Sequence, residues 1–154
     1  MAEGVTLSAA QEVVEAARKK AEEIDVPMNI AVVDAGNNLT AFARMDGAWL
    51  GSIDIAQNKA YTARSFDMST KDLAPLCQPN QPLFGIHASN NGKIMIFAGG
   101  IPLKRDGKVV GAIGVSGGSG PKYCSRISNL DANCHASRVN HSSIWSDDLC
   151  PADV

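Results

Sequence analysis

Asp54 and Lys59, the glycines at 99–100 and 117–118, and a late group of cysteines and histidines are the residues of this chain whose types suit chemistry. Asp54 and Lys59 fall five positions apart on what reads as a helix. That spacing sets them about 140° apart around its axis, so they can border one crevice from different sides without pairing. The plainer reading is a carboxylate at the positive end of the helix dipole and a solvated lysine. No carboxylate pair and no nucleophile beside a positioned base accompanies them, so the sequence assigns no reaction.

Gly114-Val115-Ser116-Gly117-Gly118-Ser119-Gly120 follows a predicted strand and can present backbone N–H groups to an anion. It lacks the Lys-Ser/Thr ending of a P-loop and the spacing of a dinucleotide-binding turn, and tight turning or close packing explains its glycines as well. Ala98-Gly99-Gly100-Ile101-Pro102, between two predicted strands, reads as a bulge or a close backbone approach to a ligand. Cys124, Cys134, His135, His141 and Cys150 carry zinc-compatible donors, but they lack the short cysteine knuckles of structural zinc sites. No metal is expected.

The elements that must position these residues belong to a chain of 154 residues, a one-domain length that buries about 70% of its unfolded surface. A formal charge of −2, with 45% hydrophobic and 19% charged residues, makes no general electrostatic appeal to nucleic acid or anionic lipid. The N-terminal segment lacks the basic start and apolar stretch of a secretory signal, and no segment is long enough to span a bilayer. Cytoplasmic residence is therefore expected, with Cys77, Cys124, Cys134 and Cys150 mainly reduced.

Leu7, Ala10, Val14, Ala17, Ala21 and Ile24 recur at helical spacing, with Ser8 and Thr6 as competing caps and Pro27 as a stop. Met28–Val33 and Leu39–Met45 flank Asp34-Ala35-Gly36-Asn37-Asn38, which predicts a hairpin. Ser52 is the expected cap of a second helix with the apolar stripe Ile53, Ala56, Ala60 and Ala63. Ser69 or Thr70 starts a short third helix through Leu76, and a long irregular segment containing Pro79, Pro82, Gly85 and Gly92 follows. Lys93–Phe97, Ile101–Lys104 and Lys108–Ser116 read as strands, the last two joined by Arg105-Asp106-Gly107. This order predicts an α+β fold, an antiparallel sheet with helices packed against it.

Val-Val-Asp-Ala-Gly at 32–36, Arg-Met-Asp-Gly-Ala-Trp-Leu-Gly-Ser at 44–52, Lys-Ala-Tyr-Thr-Ala at 59–63, Gly-Gly-Ile-Pro at 99–102 and Gly-Ala-Ile-Gly-Val-Ser-Gly-Gly at 111–118 together resemble the GlcG/HbpS family. That family includes heme-binding members and domains fused to a corrinoid adenosyltransferase. The resemblance implies a profilin-like α+β layer fold over residues 1–120 and a homodimer or higher homo-oligomer. Residues 121–154, rich in Cys, Ser and His, depart from the family's acidic, Ala-rich terminal helix and read as an atypical tail on the same domain.

The resemblance also implies a small-molecule-binding accessory protein, with heme as the cofactor and heme or iron sensing, storage or turnover as its role. Its ligand residues are then expected among Arg44, Met45, Asp54, Lys59, His87, Gly99, Gly100, Ser116, Gly117 and Gly118. His87 is the simplest axial ligand, with Met45, Tyr61 and Cys77 behind it, while Arg44, Lys59 and Lys104 can meet propionates. Cys150-Pro151 matches the short motif of heme-responsive proteins, a pair that chance readily supplies. Two alternatives stay open. One is an enzyme acting on a small organic acid through Asp54, Lys59 and His87; the other is a noncatalytic assembly partner in glycolate or diol metabolism.

Overall fold

The computed structural model describes residues 4–117. Helix α1 (Leu7–Glu23) leads into strands β1 (Asn29–Asp34) and β2 (Leu39–Arg44), helix α2 (Gly51–Phe66) and the one-turn helix α3 (Thr70–Leu73). A long connection with three 3₁₀ turns then reaches β3 (Gly100–Arg105) and β4 (Lys108–Ser116). The strands form one antiparallel sheet in the order β2-β1-β4-β3, which gives the expected α+β class.

β1 is central and buried on both faces. Ile30 and Val32 join Ala10, Val13, Ala17 and Ala21 of α1 in one core cluster, whereas Ala31 and Val33 join Ala56, Ala60 and Ala63 of α2 in another. Two helices thus cover opposite faces, as period-2 alternation along a doubly covered strand requires. Thr6 caps α1, accepting the Ala9 N–H at 3.2 Å. Val13 is buried where the spacing predicts Val14, and Leu7, in the first turn, stands exposed.

The register explains how closely α2 approaches the sheet. Phe42, Ala31, Gly114 and Gly100 share one row across β2, β1, β4 and β3. A Cβ on Gly114 would overlap the backbone of Ala56 and Ala60, and one on Gly100 would overlap the Lys59 carbonyl. Small residues on both surfaces let helix backbone meet strand backbone.

Two expectations are corrected. Ser52 does not cap α2: it lies buried inside the first turn, after Leu50, which makes no side-chain capping bond. The chain enters the helix through backbone bonds instead, with the Ser52 and Ile53 N–H groups donating to the carbonyls of Trp49 and Leu50. Lys93–Phe97 forms no strand. The Thr62 hydroxyl on α2 accepts the Met95 N–H at 2.9 Å and lies 3.2 Å from the Lys93 carbonyl, so a helix side chain replaces a sheet ladder there.

The hairpin signals hold at both turns. Asp106 and Gly107 take φ of 51° and 77°, the left-handed pair that a two-residue hairpin turn needs. At the β1–β2 turn, the Asp34 carboxylate accepts the N–H groups of Gly36 and Asn38 at 2.8 and 2.9 Å. Ser69 caps α3 by accepting the Asp72 N–H, and the helix continues as a 3₁₀ turn to Cys77.

Candidate functional site

Most of the expected site residues gather at one end of the sheet. Arg44, Asn29 and Ser116 form its terminal row across β2, β1 and β4, and the Gly99 carbonyl accepts the Val115 N–H at 2.8 Å beside them. The segment that enters α2 closes this end, since Asn29 Nδ2 donates to the Trp49 carbonyl at 2.9 Å. Arg44 stays on the surface, its Nε and Nη2 donating to the Ala48 carbonyl at 3.2 and 2.9 Å. Gly117 packs on Pro27 and Met28, and Gly118 lies outside the described residues.

Lys59 is the correction at the centre of this region. Expected to be a solvated lysine or a crevice cation, it is 0% exposed. Its Nζ donates to the Val115 carbonyl at 3.2 Å and lies 4.4 Å from the centroid of Phe97. A buried ammonium needs such partners because its desolvation is costly. Asp54 does not share its surroundings. It is exposed and accepts from Asn58 Nδ2 at 2.8 Å. The glycines at 99 and 100 leave room for the Lys59 ammonium and for its carbonyl.

Several residues here carry no sequence signal of their own: Asn29, Thr62, Thr70 and Phe97. Thr70, fully buried, accepts the Gly100 N–H at 2.9 Å and ties α3 to the start of β3. Asn29 is equally buried, and its Oδ1 has no hydrogen-bond partner among the described residues. Their roles rest on register and on contacts between distant segments.

His87 makes no hydrogen bond or ion pair to this cluster among the described residues. It occupies the exposed 3₁₀ turn Ile86–Ala88, three residues after exposed Phe84 in the sequence and anchored by Ile86 to the cluster of Leu73, Cys77 and Ile94. Lys93 lies 5.4 Å from the ring centroid of Tyr61, whose hydroxyl accepts from Asn90 Nδ2 at 3.3 Å.

The donor set can be tested against a heme. The Met45 thioether already accepts the Met28 N–H at 3.4 Å and packs against the core. Cys77 is buried, donates to the Leu73 carbonyl at 3.2 Å, and has its thiol pKa pushed up by burial, which disfavours the thiolate an iron would need. The exposed imidazole of His87 fits as an axial donor, and the surface cations Lys93, Lys104 and Arg44 suit carboxylates where buried Lys59 does not. Among the described residues no three His, Cys, Asp or Glu side chains converge on a metal position. The late group Cys124, Cys134, His135, His141 and Cys150 lies outside the described residues.

Comparison with known proteins agrees with this architecture. The family described as haem degrading protein HbpS-like matches residues 5–122. A 15.0 kDa Citrobacter freundii protein from the dhaT-dhaS intergenic region is 44% identical over 115 residues, covering 75% of this chain and 81% of that protein. The corrinoid adenosyltransferase PduO of the same species is 40% identical over 104 residues, which are 68% of this chain but 31% of PduO. Among solved structures, Klebsiella pneumoniae protein ORFY superposes with a TM-score of 0.76 at 40% identity, over 82% of this chain and 85% of its own. A PduOC:heme complex also superposes with a TM-score of 0.76, at 31% identity, over 82% of this chain and 92% of its own. Sequence match and shared fold together make this chain a member of the HbpS-like family.

Proposed function

We propose that this protein is a small-molecule-binding accessory protein that takes heme on the surface loop carrying His87. The observation that carries the reading is the likeness, over most of both chains, to a structure solved as a PduOC:heme complex. The donor chemistry supports it further, because His87 offers an exposed imidazole on the same loop as the exposed phenyl ring of Phe84. In that role His87 would ligate the iron, Phe84 would supply apolar contact and Lys93 would meet a propionate. Bound heme would supply an iron centre for sensing or turnover.

Self-association belongs to the same proposal. Trp49 and Leu50 are 56% and 72% exposed at the start of α2, a large apolar step for a surface left in water.

Heme titration of the purified protein, followed by absorption spectroscopy, tests the reading. Saturable binding at micromolar protein with a shifted Soret band is expected, and the His87→Ala variant should lose that shift. Absence of saturable binding removes heme from the proposal. An unchanged spectrum in the variant removes His87 as the ligand.

A further inference from the structure

Asn91-Gly92 is the one place in the sequence where glycine follows asparagine. We propose that Asn91 is a self-modification site, at which its side-chain amide is lost by cyclisation onto Gly92 and the loop carrying His87 gains a carboxylate.

The chemistry needs only water. The Gly92 nitrogen attacks Cγ of Asn91, so a new N–Cγ bond forms and the Cγ–Nδ2 bond breaks. The amide leaves as ammonia, taking up the proton that Gly92 loses. The resulting succinimide then adds water at either carbonyl and opens to aspartate or to isoaspartate. Atoms and charge balance as amide plus water giving acid plus ammonia, with no redox partner. Asparagine is among the thermolabile residues for this reason.

Three observations select Asn91. First, it is exposed and makes no hydrogen bond through its carboxamide among the described residues. Other asparagines are held: Asn90 by the Tyr61 hydroxyl, Asn38 by Asp34, Asn37 by Ser65, Asn58 by Asp54 and Asn29 by the Trp49 carbonyl. Second, the residue that supplies the nucleophile is sterically open, since a Cβ added to Gly92 would meet nothing within 4 Å beyond its chain neighbours. Third, Asn90, Asn91 and Gly92 take φ of 51°, 56° and 73° in succession. Two consecutive non-glycine residues in the left-handed region raise the energy of the closed turn and so lower the cost of opening it.

Opening is required, because the Gly92 N–H donates to the Ser89 carbonyl at 2.9 Å and must leave it to reach Cγ. The change is one-way. An isoaspartate inserts an extra backbone atom between residues 91 and 92, so the Gly92-to-Ser89 and Lys93-to-Asn90 backbone bonds cannot both re-form. Either product also sets a negative charge close in sequence to Lys93, beside the Tyr61 ring.

The test incubates the full-length protein at physiological temperature and mildly alkaline pH, then maps peptides by mass spectrometry and labels isoaspartate with an isoaspartyl methyltransferase. Asn80 is the internal control: it is exposed and left-handed at φ 66°, but Gln81 follows it. The expected result is an acidic isoform whose added mass and methyl label map to Asn91, absent in the Asn91→Gln variant, while Asn80 keeps its amide. An intact Asn91, or an Asn80 that converts as fast, overturns the proposal. Neither result depends on whether heme binds.

Discussion

The Lys59 ammonium stands where a side chain at Gly99 would have to go. A Cβ built on Gly99 would lie 2.8 Å from Nζ and 2.7 Å from the Val115 carbonyl oxygen, the atom that accepts from Lys59. The glycine is thus a condition for burying the cation. Its φ of +122° adds a second requirement, since that region disfavours any L side chain.

Gly99→Ala should therefore be among the most damaging conservative changes in the chain. Backbone strain of about 1–3 kcal/mol adds to the overpacking of a closed site, for a total of about 3 kcal/mol. Gly85→Ala separates the two effects: Gly85 also has a positive φ, of +87°, but a Cβ there meets nothing within 4 Å. It should cost about 1 kcal/mol. Urea unfolding of both variants measures the difference, and equal losses would show that the Lys59 contact adds nothing.

Thr70 gives a second test of the same sheet end. Its hydroxyl is the acceptor for the buried Gly100 N–H, so Thr70→Val keeps the shape and strands a donor, at a cost of about 1–3 kcal/mol. Thr70→Ser keeps the acceptor and removes only a methyl group, for about 1 kcal/mol. Denaturant midpoints should rank wild type, Ser, then Val. A Val variant as stable as the Ser variant would mean that the hydrogen bond contributes nothing.

Local chemistry made the hairpins and α1 legible in the sequence, because Asp106-Gly107 and a 3.6-residue period each act within a few residues. Lys59 was not legible. Its place off the apolar stripe of α2 reads as solvent-facing, and only the register reveals the row of Ala31, Gly114 and Gly100 that brings the helix down onto the sheet. Ile94-Met95-Ile96-Phe97 has the composition of a strand, yet it pairs with no strand among the described residues, and Thr62 bonds its backbone instead. In the sequence the glycine segments fit both a close approach to a ligand and close packing. The contacts of Gly99, Gly100 and Gly114 match the second reading, while Arg44, Lys59, Ser116 and Gly117 do gather around one end of the sheet. His87 offers no period or motif that ties it to that end.

The β1–β2 turn carries a pH dependence of predictable sign. Burial pushes the Asp34 carboxyl up, but the Asn38 N–H and carboxamide, the Gly36 N–H and nearby Arg64 together outweigh it and hold the pKa below its ordinary value. A depressed carboxylate adds stability that is fully present above the unfolded pKa of about 4 and is lost as pH falls through the folded value. The half-exposed setting limits the gain through solvent screening, so Asp34→Asn should cost about 1 kcal/mol at neutral pH. The gap between wild type and variant should then narrow as the solution is acidified below pH about 4, because protonated Asp34 loses the charge that strengthened those bonds. Urea unfolding of both proteins across this range reads the gap directly. A gap that stays constant would assign the effect to turn conformation rather than to the carboxylate's charge.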